Sequence, residues 1–275
     1  MGDKVIAVDL GGTNLRVSLV QIIGRNRKIL NYNKQPTPKD KEGIVNKMIE
    51  MIVKVDSKDV KGIGIASPGP LKGGIIKNPP NLPIRNYNLR KVIQDKFKKK
   101  VILEHDAKCT ALAELRLGCK KKNFIMIAVG TGIGGGIIFD GKIYKGTGYG
   151  GEIGHIVLDH GEDFETLAAS KGLKKLSRES FGKELLVRDL IKMKDPRAEK
   201  IIETISTYLG QGIASLINVF DPEMVILGGG MKENGDVFLK RIKKKVREYS
   251  ALPKETPIKW TKLDHPGTLG ASLLI

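Results

Sequence analysis

Cysteine is scarce and long apolar runs are missing from this sequence of 275 residues. Its two cysteines, Cys109 and Cys119, form neither a C-x-x-C pair nor a disulfide framework. No apolar run approaches the roughly 20 residues that a membrane-spanning helix needs. The chain enters a strand-like segment almost at once, so we expect no signal or transit peptide. Together these absences predict a cytoplasmic protein without a membrane partner.

Acidic residues are also fewer than basic ones: the sequence has 30 Asp and Glu and 48 Lys and Arg, which gives a formal net charge of +18. Such a balance can indicate a nucleic-acid partner. Most basic residues, however, fall on the polar faces of amphipathic helices, as in Lys240–Tyr249. We therefore expect no nucleic-acid partner, and a basic surface that steers anionic nucleotides and phosphates toward a site.

The first notable motif is Asp9-Leu-Gly-Gly-Thr-Asn14. It separates the continuously apolar run Val5–Val8 from the alternating run Leu15–Val20, which predicts two strands joined by a tight glycine turn. Backbone N–H groups beside a hydroxyl can hold phosphate, and a carboxylate beside them can hold Mg²⁺. The alternative is a plain hairpin with polar turn residues, and for a lone Gly-Gly-Thr this alternative would be favoured.

A second copy of the pattern reverses that preference. Phe124–Val129 predicts a strand, Gly130-Thr-Gly-Ile-Gly-Gly-Gly136 a glycine turn, and Ile137–Phe139 the start of another strand. The repetition predicts two related α/β halves, each with a phosphate-binding turn facing a shared cleft. The basic, glycine-containing link Gly118–Lys122 is the predicted boundary. No helix follows the second turn, which argues against Rossmann and Walker nucleotide sites.

Asp106 follows the predicted strand Val101–Glu104 and begins a predicted helix. It could be a simple helix N-cap. It could also be a carboxylate at the carboxyl end of a strand that accepts a hydroxyl proton in phosphoryl transfer. Its position alone favours the cap, and the two glycine turns favour the catalytic role.

Further along, Glu152 and His155 lie in a glycine-rich loop and Glu165 at a predicted helix start. These side chains could hydrogen-bond sugar hydroxyls, or could be scattered polar loop residues; the sequence favours neither reading. The bare glycines Gly228–Gly230 after a predicted strand allow a ring or ribose to approach the backbone, which makes them candidates for binding a nucleoside.

Taken in order over essentially the whole chain, these motifs resemble those of the ROK family (repressors, open reading frames and kinases). The matching segments are Asp9–Asn14, Gly62–Pro70, Asn81–Pro83, Glu104–Ala107, Gly130–Gly136, Gly151–His155, Glu165–Ala168, Leu227–Gly230 and Gly267–Ala271.

The resemblance implies the actin-like, hexokinase-like ATPase fold (ribonuclease H-like), with two α/β domains flanking a cleft. Residues 1–117 would form the N-terminal domain, on which the terminal helix 266–275 packs, and residues 118–265 the C-terminal domain. The implied activity is ATP-dependent phosphorylation of a hexose or related sugar with Mg²⁺, in a homodimer. Family repressors carry an N-terminal helix-turn-helix; this chain begins at its first strand, so we expect no such role.

The resemblance also implies residue roles. Asp106 would be the catalytic base, and Asp9 would lie near the Mg²⁺. Phosphate and nucleotide contacts would come from Asp9, Gly11, Gly12, Thr13, Asn14, Gly130, Thr131, Gly132, Gly134, Gly228, Gly229 and Gly230. The sugar would contact Gly69, Asn81, His105, Asp106, Glu152, His155 and Glu165.

Two features depart from the family pattern. The family usually has a cysteine-rich zinc segment between the positions of His155 and Glu165, but here Ile156–Phe164 contains no cysteine. We therefore expect no structural zinc, and His155 needs another partner to orient it. The residue before the catalytic Asp is usually Asn, whereas this chain has His105. These departures leave two alternatives to a sugar kinase: a sugar or nucleotide sensor with little catalysis, and a kinase of a non-sugar acceptor.

Overall fold

The computed structural model describes residues 2–79 and 81–275; Met1 and Pro80 lie outside the described residues. By their internal contacts these residues divide into two compact units. The first unit comprises the chain up to Lys120 together with Ile143–Gly150 and Lys262–Ile275, and the second comprises Lys121–Lys142 and Gly151–Thr261.

Both units contain strands and helices. Up to the predicted link they are β1 (Lys4–Leu10), β2 (Asn14–Ile23), β3 (Asn26–Pro36), α1 (Lys41–Val53), β4 (Val60–Ser67), β5 (Leu71–Lys72), β6 (Ile75–Ile76), α2 (Leu89–Phe97), β7 (Lys100–His105) and α3 (Asp106–Leu117). After it follow β8 (Phe124–Val129), β9 (Ile133–Phe139), β10 (Lys142–Ile143), β11 (Val157–Asp159), β12 (Glu162–Asp163), α4 (Phe164–Ala168), α5 (Ser170–Phe181), α6 (Val187–Lys192), α7 (Pro196–Phe220), β13 (Met224–Gly228), α8 (Gly235–Tyr249), β14 (Ile258–Trp260) and α9 (Pro266–Ser272).

The main sheet of the first unit has the strand order β3-β2-β1-β4-β7. β1 pairs antiparallel with β2 and parallel with β4, and β4 pairs parallel with β7. The continuous apolar run of β1 is explained by burial on both faces. Ile6 and Val8 join the cluster that includes α1 and α2, while Val5 and Ala7 join the cluster that includes residues of α3 and α9.

Helix α9 packs closely on this sheet because glycine is present at the contacts. A Cβ atom at Gly64 of β4 would overlap the carbonyl oxygen of Ala271, and one at Gly270 would overlap that of Cys109 in α3. The terminal helix therefore lies against the strands and the helix that carry Asp9 and Asp106.

The main sheet of the second unit has the order β10-β9-β8-β13-β14, which repeats the order of the first. β8 pairs antiparallel with β9 and parallel with β13, and β13 pairs parallel with β14. This agrees with the repetition seen in the sequence. Helix α7 buries its stripe, including Ile205, Leu209 and Ile213, in the same cluster as Ile125 and Ile127 of β8.

Residues 118–120, 143–150 and 262–265 group with the first unit, although the sequence-based boundaries put them in the C-terminal domain. For residues 143–150, two contacts account for this. The Lys145 ammonium lies 2.7 Å from Glu104 Oε2, and the Lys108 ammonium donates to the carbonyl oxygen of Gly148 at 3.3 Å. Among residues 2–79 and 81–275, no helix is both long and apolar enough to cross a bilayer.

Candidate active site

Asp9 lies near the end of β1, opposite Arg16 in the register of β2. The Arg16 Nη1 atom is 3.3 Å from Asp9 Oδ2, and the Asp9 side chain is 19% exposed. Burial raises the pKa of Asp9 to about 6 although the Arg16 guanidinium opposes this rise, and the Asp106 carboxylate adds to it. A cation at this carboxylate would relieve the cost of its charge, so Asp9 fits a Mg²⁺ site.

The glycine turn after Asp9 is closed by backbone contacts. The Gly11 N–H donates to the Asn14 carbonyl oxygen at 3.0 Å. Thr37, just after β3, holds the turn from outside: its hydroxyl donates to the Gly11 carbonyl oxygen at 2.7 Å and its N–H to the Thr13 carbonyl oxygen at 3.0 Å. The turn therefore has a fixed backbone, as a preformed phosphate site requires.

The structure brings Asn81 to this turn. A Cβ atom at Gly12 would lie 2.8 Å from the Asn81 carbonyl oxygen, so only glycine permits the approach. On another side, a Cβ atom at Gly267 in α9 would lie 3.0 Å from Asp9 Oδ2. Two of the predicted site residues, Gly12 and Asn81, are thus neighbours in the fold.

Of the two alternatives for Asp106, the N-cap of helix α3 is wrong. His105 is the N-cap: its backbone is extended, and its Nδ1 atom accepts from the Ala107 N–H at 3.2 Å. Asp106 is the first helical residue, and its Oδ1 accepts from the same N–H at 2.6 Å. The Asp106 carboxylate therefore lies at the carboxyl end of β7 and at the N-terminus of a helix, which attracts negative charge.

In the second unit, Glu165 of α4 contacts the predicted phosphate turn. Its Oε2 atom accepts from the Ile133 N–H at 2.7 Å, and a Cβ atom at Gly132 would overlap this carboxylate. Ser170, at the start of α5, donates from its hydroxyl to the Gly130 carbonyl oxygen at 2.8 Å. Glu165, predicted to contact a sugar, thus also shapes the turn that was predicted to bind phosphate.

The third glycine segment, Gly228–Gly230, adjoins the Gly130–Gly134 turn. Gly229 has φ of +83°, and a Cβ atom there would overlap the Val129 carbonyl oxygen at the end of β8. A Cβ atom at Gly130 would lie 3.7 Å from the Gly230 N–H nitrogen. Gly228 ends β13 and pairs with Ala128.

His155 lies at the end of a short 3₁₀ turn that follows Glu152. Its Nδ1 atom is 2.9 Å from Asp163 Oδ2, and this hydrogen bond raises the pKa of His155. The charges of Glu165 and Glu152 act on the ring in the same direction. Sequence reasoning missed Asp163. Its signal was an Asp three residues before Thr166, an N-cap spacing, and Asp163 Oδ1 indeed accepts from the Thr166 N–H at 2.8 Å.

The remaining predicted residues are placed as follows. Gly69 precedes Pro70 through a cis peptide bond, Thr131 is exposed in its turn, and Gly134 pairs with Ala128 in the β8–β9 hairpin.

Among residues 2–79 and 81–275, no three His, Cys, Asp or Glu side chains are arranged to hold a metal ion. A Mg²⁺ held by one carboxylate and substrate phosphates does not need such a cluster.

Comparison with known proteins adds to this geometry. The profile of the ROK family matches residues 5–275. A glucokinase of Halalkalibacterium halodurans is 30% identical, over 92% of this chain and 88% of its own length. A xylose repressor of Caldicellulosiruptor bescii is 28% identical, over 90% of this chain and 71% of its own.

Among solved structures, a ROK family glucokinase from Streptomyces griseus, in complex with glucose and AMPPNP, is 25% identical to this chain. It superposes with a TM-score of 0.86 over 98% of each chain.

Proposed function

Because the chain belongs to the ROK family, we propose that it is an ATP-dependent hexose kinase, which transfers the γ-phosphoryl group of ATP to a sugar hydroxyl. A relative that matches over 88% of its own length is a glucokinase, and a structural neighbour carries glucose and an ATP analogue. The observation that carries the proposal is Asp106. Its carboxylate lies at a helix N-terminus, close enough to Asp9 to raise the pKa of that buried group.

In this proposal Asp106 accepts the proton of the attacking hydroxyl. The helix N-terminus and the Ala107 N–H hold its carboxylate in one orientation before reaction. Asp9 holds the Mg²⁺ that accompanies the nucleotide, and the N–H groups of the Gly11–Asn14 turn bind phosphate oxygens. Bound Mg²⁺ would supply positive charge that offsets the charge developing on the phosphates.

In the second unit we assign phosphate contacts to Gly130, Thr131, Gly132 and Gly134, and nucleoside contacts to Gly228–Gly230. The turn around Gly132 is supported by the Glu165 carboxylate, and Gly229 adopts a conformation that favours glycine. Glu152, His155 and Glu165 are assigned to the sugar, together with Gly69, Asn81 and His105 from the first unit. Hydroxyl-specific hydrogen bonds from such groups distinguish sugars strongly.

The test is ADP release from Mg-ATP with glucose, mannose, fructose, N-acetylglucosamine, N-acetylmannosamine or buffer alone. We expect one or more sugars to stimulate release well above buffer, and the phosphorylated product to be seen by mass spectrometry. Equal ADP release in all arms, from protein that binds ATP, would reject a kinase for these sugars.

A sugar sensor is the second candidate, because a xylose repressor is similar over 90% of this chain and because His105 stands where the family usually has Asn. In that case a sugar from the panel would bind, as measured by calorimetry, without stimulating ADP release. Retention of Asp9 and Asp106 favours the kinase.

A further inference from the structure

The imidazole ring of His155 is held from one side by a carboxylate. Asp163 Oδ2 lies 2.9 Å from the Nδ1 atom. The hydrogen bonds that Asp163 accepts outweigh its partial burial and lower the pKa of this carboxyl, so it is ionised at neutral pH. An ionised carboxylate only accepts hydrogen bonds, so the proton of this contact must be on Nδ1 of His155.

Asp163 is itself fixed. Its other oxygen, Oδ1, accepts from the Thr166 N–H at 2.8 Å and caps helix α4. The same helix carries Glu165, whose carboxylate accepts from the Ile133 N–H in the glycine turn. One short segment, Asp163–Thr166, thus connects His155 to the Gly130–Gly134 turn within the second unit.

A proton fixed on Nδ1 determines what the opposite nitrogen can do. In the neutral ring Nε2 then carries a lone pair and accepts a hydrogen bond; in the charged ring it donates one. The His155 side chain is 58% exposed, so its Nε2 edge can reach a ligand. Glu165 and Glu152, the other charged groups acting on the ring, are carboxylates and favour its charged form.

We propose that Asp163 is a positioning residue for the acceptor sugar: it fixes the tautomer and orientation of His155 so that Nε2 contacts a sugar hydroxyl. This inference rests on the proposed sugar-kinase function and adds a residue to it. Only seven residues separate His155 from Asp163, and the β11–β12 hairpin reverses the chain between them, so that the two side chains meet. Asp163 itself need not touch the sugar.

Two substitutions separate the helix cap from the contact with His155. Ser at position 163 still caps α4, because Ser is a favoured N-cap residue, but its side chain is too short to hold the imidazole. Asn also caps, but its amide N–H₂ faces Nδ1 as a donor and therefore favours the opposite tautomer. The matched control is Asp195→Ser, since Asp195 caps α7 by accepting from the Arg197 N–H and its side chain also pairs with the guanidinium of Arg197.

The first readout is ¹⁵N NMR of the histidine rings at pH 8 without ligand, with His155 assigned by its loss in His155→Gln. We expect the Nδ1–H tautomer in the wild type and in Asp195→Ser, an Nε2–H tautomer in Asp163→Asn, and a mixture in Asp163→Ser. A purely structural role of Asp163 would not change the tautomer.

The second readout is steady-state kinetics with the sugar that best stimulates ADP release. Carboxylates that orient metal-ligating histidines are typically worth about 10–100-fold, and we take the same scale for a histidine that contacts a sugar. We expect the sugar KM to rise about tenfold or more in Asp163→Asn, the ATP KM to stay within about twofold, and Asp195→Ser to match the wild type.

The outcomes are distinguishable. An unchanged tautomer in Asp163→Asn, or a changed tautomer with an unchanged sugar KM and kcat, would overturn the positioning role and leave the kinase intact. A wild type that no sugar stimulates would overturn the proposed function, and the sugar part of this inference with it.

Discussion

Asp9 and Arg16 face each other across the β1–β2 pair, 3.3 Å apart at Oδ2 and Nη1, and yet the ion pair does not offset the burial of the carboxylate. The pKa of Asp9 is about 6 rather than the usual 3.8. The folded protein therefore maintains a charge at neutral pH that disfavours folding, as is common at functional sites.

This relationship predicts a pH-dependent stability. The unfolded carboxyl titrates near 3.8 and the folded one near 6, so the wild type loses stability as the pH rises through this range. Asp9→Asn lacks this titration. Without Mg²⁺, we expect the free energy of unfolding of Asp9→Asn relative to the wild type to increase by about 1–3 kcal/mol between pH 4 and pH 7.5.

Guanidinium denaturation in EDTA at both pH values measures this difference. Arg16→Gln provides the matched comparison, because loss of the guanidinium raises the Asp9 pKa further and should steepen the pH dependence. Parallel stability–pH curves for the wild type and Asp9→Asn would contradict the assignment.

Asp106 is predicted to act in turnover and not in nucleotide binding. Asp106→Asn keeps a side-chain oxygen for the Ala107 N–H but removes the proton acceptor. We expect kcat to fall about 10²–10⁴-fold, the range typical for loss of a general base. The thermal shift produced by Mg-ATP should remain as in the wild type. A kcat within a few-fold of the wild type would show that another group accepts the proton.

Substitutions of Glu165 and Glu152 are expected to differ in their effect on the KM for ATP, although both side chains were assigned to the sugar. Glu165 accepts from the Ile133 N–H, so Glu165→Ala leaves that turn without its acceptor. A lost hydrogen bond to a charged group is worth about 1.5–3 kcal/mol. We expect the KM for ATP and the KM for sugar both to rise about tenfold or more in Glu165→Ala. Glu152→Ala should raise only the sugar KM, so equal effects of the two substitutions on the ATP KM would contradict this division.

Much of the fold could be predicted from the sequence, because its signals are local or are carried by the family resemblance. The apolar run of β1 and the alternation of β2 identified the first hairpin, and the second glycine turn revealed the repeat. The actin-like, hexokinase-like fold implied by the resemblance is confirmed by the solved ROK structures.

The contacts of the site could not be predicted in the same way. Asp is among the preferred N-cap residues, so the pattern favoured Asp106, but His105 keeps an extended backbone and takes the cap while Asp106 is already helical. The contact of Glu165 with Ile133 joins residues 32 positions apart, which only the packing of α4 against the second sheet determines. Asp163 acts on His155 because a hairpin reverses the chain between them.

Gly229 is predicted to be essential for both stability and nucleotide binding, for two reasons. Its φ of +83° is disfavoured for residues with a Cβ atom, and that atom would also overlap the Val129 carbonyl oxygen. Gly141, in the turn after β9, has φ of +70° but nothing within 4 Å of its Cβ position. Gly141→Ala therefore measures the cost of a positive φ without a steric clash, about 1–2 kcal/mol. Gly229 also has ψ of −174°, a backbone region essentially restricted to glycine, so its own conformational cost is larger.

Gly229→Ala should cost about 1–3 kcal/mol more than Gly141→Ala, because its backbone region is more strongly disfavoured and because the overlap displaces the ends of β8 and β13. The same displacement moves the adjoining Gly130 turn, so the KM for ATP should rise in Gly229→Ala and stay unchanged in Gly141→Ala. Guanidinium denaturation and ADP-release kinetics on the two variants measure both effects. Equal destabilisation by the two substitutions would mean that the strands accommodate the methyl group, and an unchanged KM for ATP in Gly229→Ala would remove the third glycine segment from the nucleotide site.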